Sequence, residues 1–439
     1  MSRSLPFLPL YPAPKSETAA LPSWPAFSIG FLVILAAIFP PGLITGMNLY
    51  LLFLALIVWF ASGKPFDRDL LRMVIAPFAL IIVIGLVVGF EADRYLYMKD
   101  AWYISNPAVI MCVGYVLFRC MPDLARGLRA FVIGGTMLAL LHLGKMAAHP
   151  ELLSLSAVDI RSEVGTGYYA PALAISILFA LRGNWAKGLK LPGWLAWLCI
   201  VLCAAAVISS FSRTMFIVAF IGLVASLGVF ARREWLRVGG VIAIALLVIL
   251  TLRLSVDVNS NEASKSFIGK LARSTDELTV EEYTDFKSIN LNWRGYETAR
   301  ALGYYTAGSP IEWLFGYGFG AQLDLGLFMH LGDRREEAVR FVPKLHNGYP
   351  YLLLKGGISA VALFGYSLFE LYRLGRRQAA GAPREPGTTA GRLLQGIVVI
   401  LAFATWVIAG AFNKLDMFPY LMMAGFLIGF LTRQQGAAR

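Results

Sequence analysis

Long apolar stretches separated by short polar connections dominate the chain. Many windows of 16 to 20 residues hold no charged side chain, and about 20 apolar residues in a helix cross a hydrocarbon core of about 30 Å. Composition agrees, because 58% of the residues are hydrophobic and only 15% are charged, against about 25% charged in a typical soluble domain. The pattern predicts an all-α polytopic membrane protein with about 12 transmembrane helices.

The apolar windows divide the chain into regions. The predicted spans are Trp24–Pro40, Leu43–Ala61, Leu71–Phe90, Trp102–Phe118, Ala130–Met146, Gly165–Leu181, Gly193–Ser209, Thr214–Ala231, Val238–Leu254, Tyr349–Tyr372, Leu393–Ala411 and Leu415–Leu431. The N-terminal tail is too polar and Pro-rich for a cleavable signal peptide. The predicted regions are a tail (1–23), helices 1–9 (24–255), a large loop (256–345), helices 10–12 (346–432) and a C-terminal tail (433–439).

Basic residues are concentrated in alternate connections. The basic connections carry Lys64, Arg68, Arg72, Arg119, Arg126, Arg129, Arg182, Lys187, Lys190, Arg232, Arg233, Arg237, Arg373, Arg376, Arg377, Arg384 and Arg392. By the positive-inside rule these connections and both termini are cytoplasmic. The net charge of +12 mostly reflects this bias. Because the cations are spread over all inner loops, they do not predict nucleic-acid binding.

The large outward loop breaks this simple pattern. Its ninety residues hold ten Lys and Arg against thirteen Asp and Glu, a net charge of −3. The stretch "TVEEYTDFKSINLNWRGYETARALGYY" predicts an amphipathic helix, with Arg294, Glu297 and Thr298 on a side away from its apolar residues. "DRREEAVR" at 333–340 resembles a solvated helical face. Long loops on a helical bundle are usually functional.

Four side chains on the outward side are candidates for chemistry. Arg213 lies in the short turn "ISSFSRTMF", Arg161 precedes a span, Arg294 lies in the large loop, and His346 opens the tenth span. A charge near the bilayer is costly and points to function. Structural alternatives remain open. Arg213 can anchor a helix end, Arg161 can be a solvated loop residue, Arg294 can pair with Glu297 or Thr298 on an exposed face, and His346 can bond a carbonyl at a helix start.

Other motifs give little. "GYGFG" at Gly316–Gly320 lacks the strand and third glycine of a dinucleotide fingerprint and predicts a tight turn. The four cysteines predict neither a disulfide nor a zinc site, and no outward acidic cluster suits a divalent metal. His142 is the exception among rather clean spans, and it is interpreted as structural. The sequence therefore predicts no metal and no cofactor.

The motif "HNGYPYLLLKGG", in which nine residues separate His-Asn from Gly357, follows the large loop late in the chain. It resembles the O-antigen ligases, within the wider O-antigen ligase and polymerase superfamily. "SSFSRT" is similar to the family's Ser-Arg turn, "NWRGYETA" to its loop arginine, and "LFGYGFG" to its glycine-rich turn. The resemblance extends from about Gly165 to the end. It implies an all-α, GT-C-like membrane fold with a helical periplasmic loop, in the bacterial inner membrane.

The resemblance also implies a reaction. The family moves a polysaccharide from undecaprenyl pyrophosphate to the lipid A–core at the periplasmic face, without a metal or a cofactor. Undecaprenyl-pyrophosphate-linked polysaccharide, lipid A–core and membrane lipids are the implied partners, and nucleic acid is not. His346 is the implied base, Asn347 and Ser212 are supporting residues, and Arg213 and Arg294, then Arg161, would hold the pyrophosphate. Direct attack by the acceptor would invert the anomeric centre.

Three alternatives remain open at this stage. An O-antigen polymerase uses a similar donor, but that group usually carries arginine-rich motifs on two large outward loops, and this chain has one. A protein O-oligosaccharyltransferase shares the superfamily motif. A transporter or flippase of lipid-linked sugars belongs to a different class and would place polar residues through the middle of several spans.

Overall fold

The computed structural model describes residues 24–38, 67–151, 169–230, 286–330, 338–382, 385–413 and 417–437, with a few isolated positions between them. Several predictions lie outside the described residues. They are the tail 1–23, most of the spans Leu43–Ala61 and Val238–Leu254, the loop residues 256–285, and Arg161.

Helices account for most of the described chain. The transmembrane part contains α1 (Trp24–Ile38), α2 (Arg68–Val88), α3 (Arg94–Cys120), α4 (Leu124–Ala148), α5 (Tyr169–Ala180), the short α6 (Trp185–Gly188), α7 (Gly193–Ser209) and α8 (Arg213–Ser226). The loop contributes α9 (Phe286–Leu291), α10 (Trp293–Thr306), α11 (Pro310–Phe315), β1 (Leu323–His330) and β2 (Ala338–Val342). The chain then forms α12 (Gly348–Ala379), α13 (Pro386–Ile408), the short α14 (Gly410–Asn413) and α15 (Phe418–Ala437).

Within the described ranges, five helices (α2, α3, α4, α12 and α13) are long and apolar enough to cross a membrane, and α1, α5, α7 and α8 are shorter apolar helices. The chain is accordingly an all-α, multi-pass membrane protein. Several helices are longer than their apolar windows, because caps rather than hydropathy decide where they begin. The side chain of Asp93 accepts a bond from the Leu96 amide at the start of α3, and Asp123 does the same for Arg126 at the start of α4.

Aromatic side chains fill the core where α3, α4 and α15 meet. Phe118 meets Phe426 edge to face with ring centroids 5.2 Å apart, and Phe131 meets the same ring at 6.1 Å. All three rings are almost fully buried. Edge-to-face contacts of this kind suit the charge distribution of the rings and fix the relative rotation of the helices.

The ion pairs around Glu370 and the candidate base His346 lie near different ends of α12. Near the C-terminal end of α12, Glu370 accepts Arg72 at 2.8 Å and Arg373 at 3.2 Å. His346 lies 24 residues earlier, just before the N-terminal end of α12, and the helix has a kink between them at Gly357, where φ is 65°. The basic cluster and His346 therefore lie towards opposite ends of α12. We refer to the end with Arg72 and Arg373 as the basic end.

The large loop contains a two-stranded antiparallel sheet beside its helices, which the sequence did not predict. The prediction of a helical face at 333–340 is wrong for Ala338–Arg340, which begin β2. The acidic and basic letters of that stretch suggested a helix, but Arg340 pairs across the sheet with Asp324 through two bonds of 2.8 Å. The guanidinium lowers the pKa of the Asp324 carboxyl to about 2.

The glycine-rich turn before β1 is inserted between helices. Gly316, Gly318 and Gly320 all have positive φ, as the predicted tight turn requires. The backbone N–H of Tyr317 donates to the carbonyl of Leu354 on α12 at 2.8 Å, and that of Phe319 donates to Gly85 on α2 at 2.9 Å. The turn thereby ties the loop to the membrane helices.

A buried ion pair lies directly beneath this turn. Lys355 of α12 and Asp100 of α3 are almost fully buried, and they approach within 2.5 Å. The expectation of clean spans apart from His142 is therefore wrong at Lys355, which lies inside the tenth predicted span. A buried charge persists there because it has a partner of opposite sign.

Candidate active site

His346 and Glu297 meet at the end of the bundle opposite the basic end. The backbone N–H of His346 donates to Glu297 Oε2 at 2.7 Å, and Nδ1 of its ring lies 3.3 Å from Oε1 of the same carboxylate. The histidine side chain is 51% exposed, whereas that of Glu297 is 2% exposed. The buried carboxylate of Glu297 thus contacts the solvent-accessible imidazole of His346 on its inner side.

The loop fold buries the carboxylate. Glu297 lies on α10, which is anchored to the sheet by the hydroxyl of Tyr296, a donor to the carbonyl of Leu325 at 2.5 Å. Tyr296, Ile289 and Met329 form a small apolar cluster under this helix. Both Glu297 and Thr298 are buried, so the alternative in which Arg294 pairs with one of them on an exposed helix face does not fit the structure.

The contact selects one form of the imidazole. A carboxylate accepts hydrogen bonds and donates none, so Nδ1 carries the proton when it bonds to Glu297. Nε2 is then the unprotonated nitrogen and can accept a proton from a hydroxyl. These are the properties of a general base.

Asn347 has a structural task in this arrangement. It occupies the N-cap position of α12, and its side-chain oxygen accepts a hydrogen bond from the Tyr349 amide at 3.1 Å. The next residue, Gly348, has no side chain at a point where a Cβ would lie 2.6 Å from Thr405 and 3.2 Å from Ala409 of the neighbouring chain segment. The pair Asn347 and Gly348 therefore fixes where α12 begins and how His346 leaves it.

Arg294 lies one turn before Glu297 on the same helix. It is the second residue of α10 and is half-buried. A spacing of three residues places both side chains on neighbouring turns of one helix surface. The structure therefore places Arg294 one helix turn from the carboxylate that contacts His346.

Arg213 lies at the same end of the bundle as His346. It is the first residue of α8, after a turn in which Phe211 has a φ of 48°. Helix α8 runs antiparallel to α13, since Gly222 is beside Ile400 and Ala225 is beside Gly396. Arg213 is nine residues before Gly222, which is about 13 Å along α8. Because the two helices are antiparallel, Arg213 lies beside the C-terminal end of α13. Gly348 contacts that same end at Thr405 and Ala409.

Serine side chains make the hydrogen bonds of the turn before Arg213. Ser212 is at the N-cap position of α8, but its side chain makes no capping bond. Ser210 accepts from the Ser212 amide at 3.3 Å and donates to the Val207 carbonyl at 2.7 Å. Beside it, Ser209 bonds His142 Nε2 at 2.9 Å. Ser210 and His142 are consequently the side chains that fix this turn.

Sequence reasoning proposed His346, Arg213 and Arg294 as site residues but missed Glu297 as the partner of His346. Glu297 is 49 residues from the histidine, and it was considered only as a partner of Arg294. Lys355 was also missed, although a lysine inside "YLLLKGG" is a readable signal of a buried charge.

A comparison with known families matches part of the chain. Residues 198–365 match a family model described as O-antigen ligase. The resemblance to the O-antigen ligase superfamily is confirmed. The matched segment contains Arg213, Arg294, Glu297 and His346 and is shorter than the region inferred from the motifs, which began at about Gly165. The chain matches none of the curated proteins.

The family assignment and the fold together define a class. The match to the O-antigen ligase family model lies within a multi-pass membrane protein and covers 168 of its 439 residues. Over that segment the chain is similar to membrane enzymes of the O-antigen ligase and polymerase type.

Proposed function

We propose that the protein transfers O-antigen polysaccharide from undecaprenyl pyrophosphate to the lipid A–core, at the periplasmic face of the bacterial inner membrane. His346 is the general base, and Arg213 and Arg294 hold the pyrophosphate. Arg161 is the third candidate for the pyrophosphate and lies outside the described residues. The observation that carries this proposal is the contact of His346 with the buried carboxylate of Glu297.

The reaction follows from these positions. The acceptor hydroxyl attacks the anomeric carbon of the donor, and its proton passes to Nε2 of His346. The bond between that carbon and the pyrophosphate oxygen breaks, and its electron pair leaves with the pyrophosphate. Guanidinium groups suit the growing negative charge, since they stay protonated and bind phosphate through two parallel hydrogen bonds. A single displacement of this kind inverts the anomeric centre.

The location of the site fits two substrates with lipid tails. His346 lies just before the first residue of α12, where a polar loop meets an apolar helix. A lipid-linked donor and a lipid-linked acceptor both present their reacting ends at such a boundary. Arg213 lies at the same end of the bundle as His346. A substrate can therefore reach both side chains without entering the basic end.

The decisive experiment replaces the base. His346→Gln keeps hydrogen-bonding groups but cannot accept a proton near neutral pH, so we expect transfer to fall by about 10²–10⁴. Single-turnover transfer by purified protein in lipid measures this, with thermal stability and donor binding for the same variant. A stable His346→Gln protein with near wild-type turnover would show that the histidine is structural, and the assignment would be wrong.

The acceptor separates the proposed ligase from related enzymes. The purified protein receives labelled donor with lipid A–core, with a second lipid-linked glycan, or with a protein acceptor. We expect transfer to lipid A–core. Transfer to the second glycan would indicate a polymerase, and transfer to protein would indicate an oligosaccharyltransferase. Movement of intact donor across the membrane without any bond broken would indicate a transporter.

A further inference from the structure

An open groove runs between α1 and α4, away from the proposed active site. Its volume is about 760 Å³. Its apolar wall includes Phe27 and Phe31 of α1, and Ile133 and Met137 of α4, which are between 46% and 74% exposed. In a membrane these side chains face lipid tails rather than water.

Three cations line one end of this groove. They are Arg126 and Arg129, in the first turns of α4, and Lys190, in the connection before α7. Nε of Arg129 is buried, and it has no hydrogen-bond partner among the described residues. A shielded guanidinium nitrogen beside two further cations favours an anionic group at this end.

The depth of the groove matches one leaflet of a bilayer. Helices α1 and α4 run in the same direction, because Gly30 is beside Ala130 and Val33 is beside Gly134. From Arg126 to Met137 the helix rises about 16 Å, and half of a hydrocarbon core is about 15 Å. The apolar wall therefore extends from the level of the cations to about the middle of the membrane.

The groove lies at the basic end, opposite to His346. Arg126 follows shortly after α3 ends at Cys120, whereas Lys344, two residues before His346, lies over the ring of Tyr103 near the start of α3. Seventeen residues of α3 separate Tyr103 from Cys120, about 26 Å. The groove is therefore too far away to form part of the proposed transfer site.

We propose that this groove binds an anionic diacyl phospholipid from the leaflet at the basic end of the bundle. The phosphate of the lipid contacts Arg126, Arg129 and Lys190, and its acyl chains lie against the apolar wall. Basic pockets between transmembrane helices are suited to acidic headgroups. The combination of three cations and an apolar wall one leaflet deep selects a lipid over a free phosphate or a soluble anion.

The test counts lipids on the full-length protein. Purified protein in detergent is titrated with palmitoyl-oleoyl phosphatidylglycerol or phosphatidylcholine, and bound lipid is measured by native mass spectrometry. We expect phosphatidylglycerol to bind at least about tenfold more tightly. The variant Arg126→Gln/Arg129→Gln/Lys190→Gln should lose this preference. Ile133→Trp, which fills the groove, should weaken both lipids.

A matched variant removes three cations elsewhere at the basic end. Arg182, Arg376 and Arg377 are exposed and do not line the groove, so their replacement by Gln should leave the preference intact. Equal loss in both triple variants would mean a diffuse charge effect and overturn the site. Unchanged binding in the groove variant would overturn it too, as would complete displacement of phosphatidylglycerol by equimolar undecaprenyl phosphate. If the triple variant does not fold, Arg129→Gln alone is measured with the same criteria.

Discussion

Lys355 and Asp100 form an ion pair in the interior of the bundle, with Nζ 2.5 Å from Oδ2. The same carboxylate accepts the Gly320 amide at 2.8 Å and the hydroxyl of Tyr351 at 2.7 Å. Nζ of Lys355 also donates to the carbonyl of Ala321. The pair thus holds the glycine-rich turn against α3 and α12. Its lysine, Lys355, is nine residues after His346 in the sequence.

Removing one member of this pair should be costly. Lys355→Met leaves Asp100 as an uncompensated buried charge, so we expect a loss of about 3–5 kcal/mol in stability. The double variant Asp100→Asn/Lys355→Met leaves no buried charge and should recover most of it. Thermal unfolding of the purified proteins in lipid nanodiscs measures both.

An ion pair at the basic end of the bundle provides a control for the stability of the Lys355 variants. Arg72, whose side chain is 49% exposed, pairs with the buried carboxylate of Glu370, but Arg373 also contacts that carboxylate at 3.2 Å and remains when Arg72 is replaced. Arg72→Gln should therefore change stability far less than Lys355→Met. If the double variant is as unstable as Lys355→Met, the uncompensated charge does not cause the loss of stability. Packing of the two side chains must then explain it.

Sequence reasoning predicted the elements governed by local patterns. Hydropathy locates α3, α4, α12 and α13 in the apolar windows, and the glycines predict the tight turn at Gly316–Gly320. It could not predict β1 and β2, because their pairing depends on contacts such as Asp324 with Arg340 across sixteen residues. A local charge pattern contains no information about such a partner.

In the candidate site, too, some residues can be proposed from the sequence and others only from the structure. His346 and Arg213 are readable because they lie at the ends of predicted spans, where a charged or basic side chain is costly. The role of Glu297 is not readable, because thirteen acidic residues occur in the loop. Of the three that the structure describes, Glu297 is the buried one. Asn347 shows the converse, since its place beside the histidine suggested chemistry and the structure gives it a capping bond.

The proposed pyrophosphate ligands predict a specific loss of rate. Arg213→Ala and Arg294→Ala should each lower transfer by about 30- to 1000-fold, which corresponds to about 2–4 kcal/mol. Lysine at either position should restore only part of the rate, because it lacks the planar fork. Single-turnover transfer measures the rate, and donor binding shows where the loss arises.

Arg340 provides the control for these two variants. It lies in the same loop, but it pairs with Asp324 at the surface, so Arg340→Ala should retain near wild-type transfer. Wild-type rates in correctly inserted Arg213→Ala and Arg294→Ala proteins would contradict the assignment. Equal losses in all three variants would point to the net charge of the loop instead.

The capping bond of Asn347 predicts a loss of stability rather than of chemistry. Asn347→Ala removes the acceptor for the Tyr349 amide and should cost about 0.5–2 kcal/mol. Asn347→Asp and Asn347→Ser keep an acceptor and should stay close to wild type in both melting temperature and turnover. A stable Asn347→Asp protein that has lost transfer would show that the amide also contacts a substrate.

The contact between Glu297 and His346 leads to the sharpest prediction. Glu297→Gln has nearly the same shape and can still accept the bond from the backbone of His346. It removes the negative charge behind the ring, and its amide can favour the wrong tautomer. We therefore expect single-turnover transfer to fall by about 10²–10⁴, while melting temperature and donor binding change little.

A double variant tests whether the two residues act as one unit. If Glu297 works through the imidazole, Glu297→Gln/His346→Gln should be no slower than His346→Gln alone, because groups that act together give non-additive losses. Glu312→Gln is the matched control. Its carboxylate lies in the same loop but belongs to the capping box of α11, so transfer should be unaffected. Multiplied losses in the double variant, or full turnover in Glu297→Gln, would show that the carboxylate does not serve His346 in catalysis.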